Sequence, residues 1–304
     1  MNHMSAHVPN KQHLPTQALR RLCGMLLSCL LTAVSVAQSD AVAQGISSGP
    51  LSLPADRLLG FTNIPAGSFP MGSNPLIDPM AFENERWSES RRQGVVEMPQ
   101  YYIARYETTV AQYRAFVEAT HYMADPQSLA QPDDYPVTFV SWTDAVAYTR
   151  WLDGQLRTLP QLPAELKGFM EDGGHVTLPN EAEWEKAAKG EEGRIYPWGN
   201  RFLPGSANVN SGELRAVGST QCPDCAYGLS DMSGNVWEWT RSPYQSYPFD
   251  TSLDRVSLSD DALWVMRGGS FNDETNNARA AVRGGADPAA RRPFIGFRVV
   301  LSRD

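Results

Sequence analysis

The stretch Leu178-Pro179-Asn180-Glu181-Ala182-Glu183-Trp184-Glu185 marks the end of the helical part of this 304-residue chain. Asn180 is a good N-cap residue, Glu183 follows three positions later as in a capping box, and Gly190 is a typical helix terminator. The segment between them has few apolar positions. We therefore expect a short helix that Trp184 holds against the core.

Two longer helices are predicted upstream of this stretch. The first begins after Thr109, a good N-cap residue, and places Tyr113 and Phe116 on one buried stripe. The second begins after Ser141, which starts a Ser-x-x-Asp capping box, and directs Tyr148 toward the core.

Downstream of Gly190 the helical periodicity stops, and short extended pieces alternate with turns. A strand-turn-strand is predicted at 64–69 and a last strand at 296–301, whereas 74–94 is predicted to be a polar surface excursion. Early helices followed by many short strands indicate an α+β domain with much irregular structure.

The first residues differ from the rest. Arg20 and Arg21 precede an interrupted apolar run at 22–37, and small residues follow it, as in a secretory signal peptide. The run is short for a membrane span of about 20 apolar residues, although an uncleaved anchor or a buried helix is an alternative. The predicted organisation is a signal peptide at 1–43, a flexible segment at 44–57 and a single domain at 58–304. An exported, periplasmic protein is expected.

Removal of 1–43 leaves 23 basic and 33 acidic residues, a net charge of −10. Such a surface repels nucleic acid and anionic lipid, so we expect neither as a partner. The same step leaves two cysteines, Cys222 and Cys225, and two histidines, His121 and His175.

A series of motifs resembles the formylglycine-generating-enzyme (sulfatase-modifying-factor) family, in the family's order and over nearly the whole domain. The matching segments are Ile64 to Gly72, Tyr106 to Thr109, Pro136 to Ala145, Leu178 to Glu185, Tyr196 to Asn200, Gly228 to Trp239, Arg267 to Phe271 and Gly296 to Arg298. The resemblance implies a compact α+β fold related to C-type lectins, with low regular content.

Members that generate formylglycine bind copper through two cysteines after the Arg-Gly-Gly-Ser stretch, because soft thiolates suit Cu(I). The two matching positions here are Asp273 and Ala278. Formylglycine generation at a copper site is therefore not expected.

A second branch of the family, the ergothioneine-type sulfoxide synthases, binds iron through a His-x3-His-x-Glu set. His121 and His175 lack that spacing. No iron site is expected, although two histidines and a carboxylate that converge in space would form one.

Cys222-Pro223-Asp224-Cys225 is a Cys-x-x-Cys pair. No second pair completes a zinc site, and no βαβ context favours a thioredoxin-like role. In an oxidising compartment we expect a local disulfide, with a redox or copper role as the alternative.

The resemblance places a calcium ion at the segment from Asp231 to Glu238. The matching ligands are Asp231, Gly234, Val236 and Glu238, and Asn208 with Val209 matches part of a second calcium site. Hard cations prefer such oxygen ligands. A turn anchored by tryptophan without metal is the alternative.

In the family the substrate groove passes beside the Arg-Gly-Gly-Ser turn. The residues expected to line it are Trp264, Arg267, Ser270, Asn272, Asp273, Glu274, Arg279 and Arg283. Glu274 or Asp273 would be the general base, with Ser270 beside them. A buried network of ion pairs made from the same residues is the alternative.

Three functions remain open. The first is that of the exported, cysteine-lacking branch typified by the pyoverdine-maturation protein PvdO, which oxidises a siderophore chromophore precursor in the periplasm. The second is a non-catalytic binding or accessory domain that uses the groove for a peptide, a glycan or an assembly partner. The third, formylglycine generation with relocated thiols, is remote.

Overall fold

The computed structural model describes residues 49–90, 93–220, 222–250 and 262–303. The predicted signal peptide at 1–43 lies outside the described residues, as do 44–48. Among the described residues, none of the helices is both long enough and apolar enough to cross a membrane.

Three of the four α-helices found in the described residues begin where capping signals predicted them. Thr109, Ser141 and Asn180 each accept a backbone N–H three residues on, and the residue there returns a hydrogen bond to the N-cap backbone. The helices are Val110–Thr120 (α1), Trp142–Thr158 (α2), Ala164–Glu171 (α3) and Glu181–Lys189 (α4). Helix α3 was not predicted, because it starts after Pro163 with no side-chain cap.

The described strands are short and form three sheets. They are Phe61–Ile64 (β1), Gly67–Met71 (β2), Gly94–Met98 (β3), Tyr101–Ala104 (β4), His175–Thr177 (β5), Trp237–Pro243 (β6), Trp264–Arg267 (β7), Arg283–Ala286 (β8), Ile295–Gly296 (β9) and Val300–Ser302 (β10). One sheet has the order β1-β4-β10-β5, one pairs β2 with β3, and one has the order β8-β7-β6-β9. The predicted α+β class with low regular content is confirmed.

The main hydrophobic core lies between the sheets and helices α1 to α3. Leu51 and Leu53 are 7% and 8% exposed and belong to this core. The core therefore includes two side chains from the segment at 44–57 that was predicted to be flexible.

The excursion after β2 lies on the surface, as predicted, but its first part is not polar. Leu76, Ile77, Met80 and Phe82 are all exposed there. The prediction of a polar surface was wrong for this part of the excursion. Its charged residue Asp78 is buried, so the apolar side chains around it are left at the surface.

The β8-β7-β6-β9 sheet positions the segment expected to be functional. Strand β7 pairs with β6 so that Arg267 stands opposite Glu238, and it pairs with β8 so that Arg267 stands opposite Arg283. The Arg-Gly-Gly-Ser turn leaves the sheet directly after Arg267.

Candidate functional site

The turn after β7 depends on two glycines. Gly268 and Gly269 have φ values of +99° and +73°, which side-chain-bearing residues rarely adopt. A Cβ on Gly269 would lie 2.7 Å from the carbonyl oxygen of Asn277. The turn is thus packed directly against the short 3₁₀ helix Thr275–Ala278.

Asp273 holds this turn together. Its Oδ2 accepts hydrogen bonds from Ser270 N at 2.9 Å, Ser270 Oγ at 2.5 Å and Trp237 Nε1 at 2.9 Å. Its Oδ1 accepts one from Asn277 Nδ2 at 2.8 Å. Four donors occupy the carboxylate, so Asp273 serves to position the turn and has little capacity left to take a proton from a substrate.

Glu274 is in the opposite situation. It is exposed and stands at the N-cap of the 3₁₀ helix without a side-chain capping bond. Asn272 beside it is also exposed, whereas Ser270 is 1% exposed. Of the expected groove residues, Glu274 and Asn272 are therefore the two that face solvent.

The arginines expected to line the groove lie beneath the turn. Arg267 is 0% exposed and contacts Glu181 at 3.3 Å and Glu185 at 2.5 Å, and it donates to two carbonyl oxygens at 3.0 Å. Arg283 forms a bidentate pair with Glu181 at 2.8 Å and 2.6 Å. Burial alone would raise the pKa of Glu185, but Lys189 and Arg267 hold it below its ordinary value.

Arg279 and Trp264 are buried as well. Arg279 contacts Asp78 at 2.8 Å and Glu85 at 2.6 Å and 2.7 Å. Trp264 is 1% exposed, and its ring centroid lies 4.1 Å from that of Trp142. This corrects the expectation that Trp264, Arg279 and Arg283 line a groove. A buried guanidinium requires carboxylate partners, and these arginines are already fully engaged with theirs.

The segment expected to bind calcium is also buried. Asp231, with φ +56°, accepts Gly218 N–H at 2.6 Å. Glu238 accepts Arg298 Nε at 2.6 Å, Arg298 Nη2 at 2.7 Å and Trp184 Nε1 at 2.8 Å. Both carboxylate oxygens of Glu238 are therefore engaged by an arginine.

A third carboxylate, Glu107, lies in the same region. Its Oε2 accepts Asn235 Nδ2 at 2.8 Å, whereas its buried Oε1 has no partner among the described residues. Burial, followed by the charges of Asp231 and Glu238, raises the pKa of Glu107 well above its ordinary value. Burial raises the pKa of Asp231 to about 6.

Several of the expected calcium ligands are engaged by other groups of the protein in this arrangement. No group of three or more His, Cys, Asp or Glu side chains in the described part of the chain is placed to hold a metal ion. Glu238 is committed to Arg298, and Gly234 lies so close to Asn208 that a Cβ would meet its carbonyl oxygen at 2.4 Å. Three carboxylates, those of Glu107, Asp231 and Glu238, nevertheless surround the single guanidinium of Arg298.

The second expected calcium segment is held by its own hydrogen bonds. Asn208 Nδ2 donates to Glu213 O and Asn235 Oδ1 at 3.0 Å each, and Ser211 Oγ donates to Asn208 Oδ1 at 2.7 Å. Val209 is half-buried beside it. These bonds hold the short loop in place.

The remaining candidates lie on other elements. Cys222 and Cys225 form a disulfide, and the neighbouring Asp224 carbonyl accepts Arg194 Nη1 at 2.8 Å. His121 ends α1, and His175 begins β5. A surface cavity of about 540 Å³ lies against α1 and is lined by Ala111, Arg114 and Asp133 among others, away from the turn after β7.

Residues 52–303 match the family described as the sulfatase-modifying factor enzyme 1-like domain, FGE-sulfatase. The chain belongs to this family. The resemblance that the motif series indicated is confirmed. In the FGE-sulfatase family the copper ligands are thiolates, and the donor-saturated carboxylate of Asp273 and the buried methyl group of Ala278 do not fit copper.

Relatives in the FGE-sulfatase family are named for different activities. The inactive Cα-formylglycine-generating enzyme 2 of Bos taurus is 32% identical over 54% of this chain and 50% of that protein. Hercynine oxygenase of Mycolicibacterium smegmatis is 29% identical over 78% of this chain and 60% of that protein. The formylglycine-generating enzyme of Thermomonospora curvata is 27% identical over 82% of this chain and 95% of that protein. The chain thus spans only half to three-fifths of the first two.

Two solved structures share the fold. PvdO from Pseudomonas aeruginosa has a TM-score of 0.62 and 24% identity, and covers 79% of this chain and 93% of its own. CarF has a TM-score of 0.55 and 23% identity, and covers 80% of this chain and 98% of its own. At these identities the two structures support the FGE-like fold alone.

Proposed function

We propose that this protein is an exported oxidoreductase that acts without metal thiolates on a small polar substrate, of the pyoverdine-type siderophore chromophore class. The observation that carries the proposal is Glu274, an exposed carboxylate without a capping bond, placed by a turn that Asp273 fixes through four hydrogen bonds. A free carboxylate on a rigid turn is suited to general-base work.

The proposed reaction is a two-electron oxidation. The substrate loses two electrons and two protons, Glu274 accepts the first proton, and dissolved oxygen takes up both electrons and two protons to become hydrogen peroxide. Hercynine oxygenase among the relatives, which is named as an oxygenase, supports an oxidative reaction class.

Oxygen consumption and peroxide formation with a pyoverdine-type chromophore precursor test the proposal. Glu274→Gln keeps the size of the side chain but removes the base, so turnover should fall by about 10²-fold or more, the usual contribution of a general base. Glu118→Gln, an exposed carboxylate on α1, is the matched control and should leave the rate unchanged. If Glu274→Gln turns over substrate at the wild-type rate, the proposal is wrong.

A non-catalytic binding domain is the second candidate. It is favoured by the burial of Arg267, Arg279 and Arg283, which leaves few polar groups to act on a substrate. A purified protein that binds candidate ligands but consumes no oxygen would establish this reading. Formylglycine formation in a Cys-x-Pro-x-Arg peptide would establish the remote third one.

We also propose a structural calcium ion beside Asp231. The support is the excess of negative charge around Glu107, Asp231 and Glu238. Binding would require Glu238 to share its oxygens between Arg298 and the cation, since hard cations take oxygen ligands.

A further inference from the structure

The Cys222–Cys225 disulfide lies on a surface turn that the proposed oxidation does not use. Cys222 is partly exposed, the two residues between the cysteines are exposed, and Cys225 is 9% exposed. The two cysteines therefore differ in their access to solvent. Because an attacking thiolate must reach one sulfur of a disulfide, this difference makes Cys222 the point of entry for a thiol from outside.

Hydrogen bonds of the main chain hold this turn independently of the sulfur bridge. Cys225 N donates to Cys222 O at 3.1 Å across the turn, and Gly228 N donates to Cys225 O at 3.2 Å after it. Ala226 N donates to Pro197 O at 3.0 Å and so fastens the turn to a neighbouring segment. None of these bonds involves a sulfur atom.

Side chains anchor the same turn on both sides. Arg194 Nη1 donates to Asp224 O at 2.8 Å and to Pro197 O at 3.2 Å. Downstream of the turn, Leu229 is 1% exposed and belongs to a hydrophobic cluster with Trp184. We therefore expect the turn to keep its shape when the bridge is open.

The bridge itself closes a very short loop. Its two cysteines are three positions apart in the sequence. A disulfide stabilises a fold mainly by restricting the unfolded chain, and that effect is smallest for short loops. The bridge is thus a weak staple on a turn that is already held, and its reactivity is the property that distinguishes it.

The charges at the turn are mixed. Asp224 is exposed, and Arg194 forms an ion pair with the exposed Glu192 at 3.3 Å. These charges do not favour a partner of one sign. The Cys-x-x-Cys spacing itself stabilises a thiolate, so the thiols of the partner define its class.

We propose that Cys222–Cys225 is a thiol–disulfide exchange site that oxidises paired thiols of a peptide or protein. A thiolate of the partner attacks Cys222 Sγ, the bond between the two cysteines breaks, and Cys225 leaves as the thiolate. The partner's second thiolate then attacks the partner's first sulfur, forms the partner's disulfide and releases Cys222. The partner loses two electrons and two protons, and the cysteine pair takes them up. A small disulfide such as oxidised glutathione restores the bridge and becomes two thiols.

Oxidation of a reduced synthetic peptide with two cysteines tests this, with oxidised glutathione as the terminal oxidant and mass spectrometry as the readout. The full chain is used with Cys23→Ser and Cys29→Ser, so that only one pair of thiols remains. The matched control is a free oxidised peptide of residues 220–228, which has the same cysteines without the fold. The protein should oxidise the dithiol peptide about tenfold faster than this control, because the fold fixes the turn and the exposed sulfur.

Two kinds of variant examine the site itself. Cys222→Ser with Cys225→Ser should reduce the rate to the background of glutathione alone, and its circular dichroism should match that of the parent protein. Iodoacetamide should label Cys222 in Cys225→Ser about tenfold faster than it labels Cys225 in Cys222→Ser, since the second thiol is buried.

A rate equal to that of the free peptide would overturn the inference, as would equal labelling of the two thiols. If the double variant did not fold, the bridge would be a structural staple and the inference would also be wrong. These outcomes are independent of the proposed function, because the exchange does not involve Glu274. Glu274→Gln should leave peptide oxidation unchanged, whereas the double cysteine variant should leave oxygen consumption unchanged.

Discussion

Two buried clusters of charge meet at the β6–β7 strand pair, where Arg267 of one stands opposite Glu238 of the other, and they are compensated in opposite ways. The arginine network consists of Arg267, Arg283, Lys189, Glu181 and Glu185. The acidic cluster consists of Glu107, Asp231, Glu238 and Arg298. Cations outnumber carboxylates by one in the network, whereas carboxylates outnumber the single cation by two in the cluster.

This difference appears in the pKa values. In the network, Lys189 and Arg267 overcome the effect of burial and lower the pKa of Glu185. In the cluster, burial raises the pKa values of Glu107 and Asp231. The network is thus a scaffold that favours the charged form of Glu185, and the cluster is a place where a proton or a cation is still needed.

The largest effect is expected from breaking the network. Glu181 contacts both Arg267 and Arg283, so Glu181→Gln leaves two buried guanidinium groups short of a partner. We expect a loss of about 3–5 kcal/mol in the free energy of unfolding, measured by urea denaturation. Glu118→Gln, an exposed control, should stay within about 0.5 kcal/mol. A loss below 1 kcal/mol would show that the network is not a scaffold.

The pH dependence of stability should come from the cluster. The folded pKa of Asp231 is raised to about 6 from an ordinary 3.8, so the folded protein binds this proton more tightly than the unfolded chain does. The stability that the proton supplies is full below about pH 4 and is lost as the pH rises through about 6, at up to about 1.4 kcal/mol per pH unit. Asp231→Asn should remove this slope from urea midpoints measured with chelator between pH 4.5 and 7. A variant with the wild-type slope would assign it to another group.

Calcium should act on the cluster and not on the network. Proposed binding beside Asp231 would raise the unfolding free energy by about 2.7 kcal/mol at 100 times the dissociation constant. Melting temperatures with calcium and with chelator measure this at pH 7. The gain should vanish in Asp231→Asn. If calcium does not raise the melting temperature of the wild type, the proposed calcium ion is contradicted.

Local signals predicted the helices, but distant partners could not be predicted. The capping boxes at Thr109, Ser141 and Asn180 involve residues three positions apart, and all three helices begin there. Arg279, by contrast, finds Asp78 and Glu85 at 201 and 194 positions along the chain. Periodicity and propensity do not encode such pairings, so a groove lined by arginines was expected where the structure buries them.

Some features of the candidate site could likewise be predicted from the sequence, and others could not. The missing thiols and the turn glycines are visible in the sequence, because each is a property of one position. The choice between Asp273 and Glu274 is not, since it depends on Trp237 and Asn277, whose N–H groups occupy one carboxylate and leave the other free. The apolar side chains at the surface of the loop after β2 were missed because its two buried charged residues, Asp78 and Glu85, made the segment appear polar.

The smallest effect, with the opposite sign to the first, is expected from Glu107→Gln. Its Oε1 is buried without a partner among the described residues, and burial raises its pKa well above the ordinary value, so a negative charge at this position costs stability. The amide retains the hydrogen bond from Asn235 and removes one negative charge, so the unfolding free energy should rise by about 1 kcal/mol. Glu181→Gln makes the same chemical change in the arginine network. Urea denaturation at pH 7 with chelator should therefore show a gain in unfolding free energy for Glu107→Gln and a loss for Glu181→Gln. If Glu107→Gln also destabilised the protein, the cluster would be as well compensated as the network, and the contrast between them would fail.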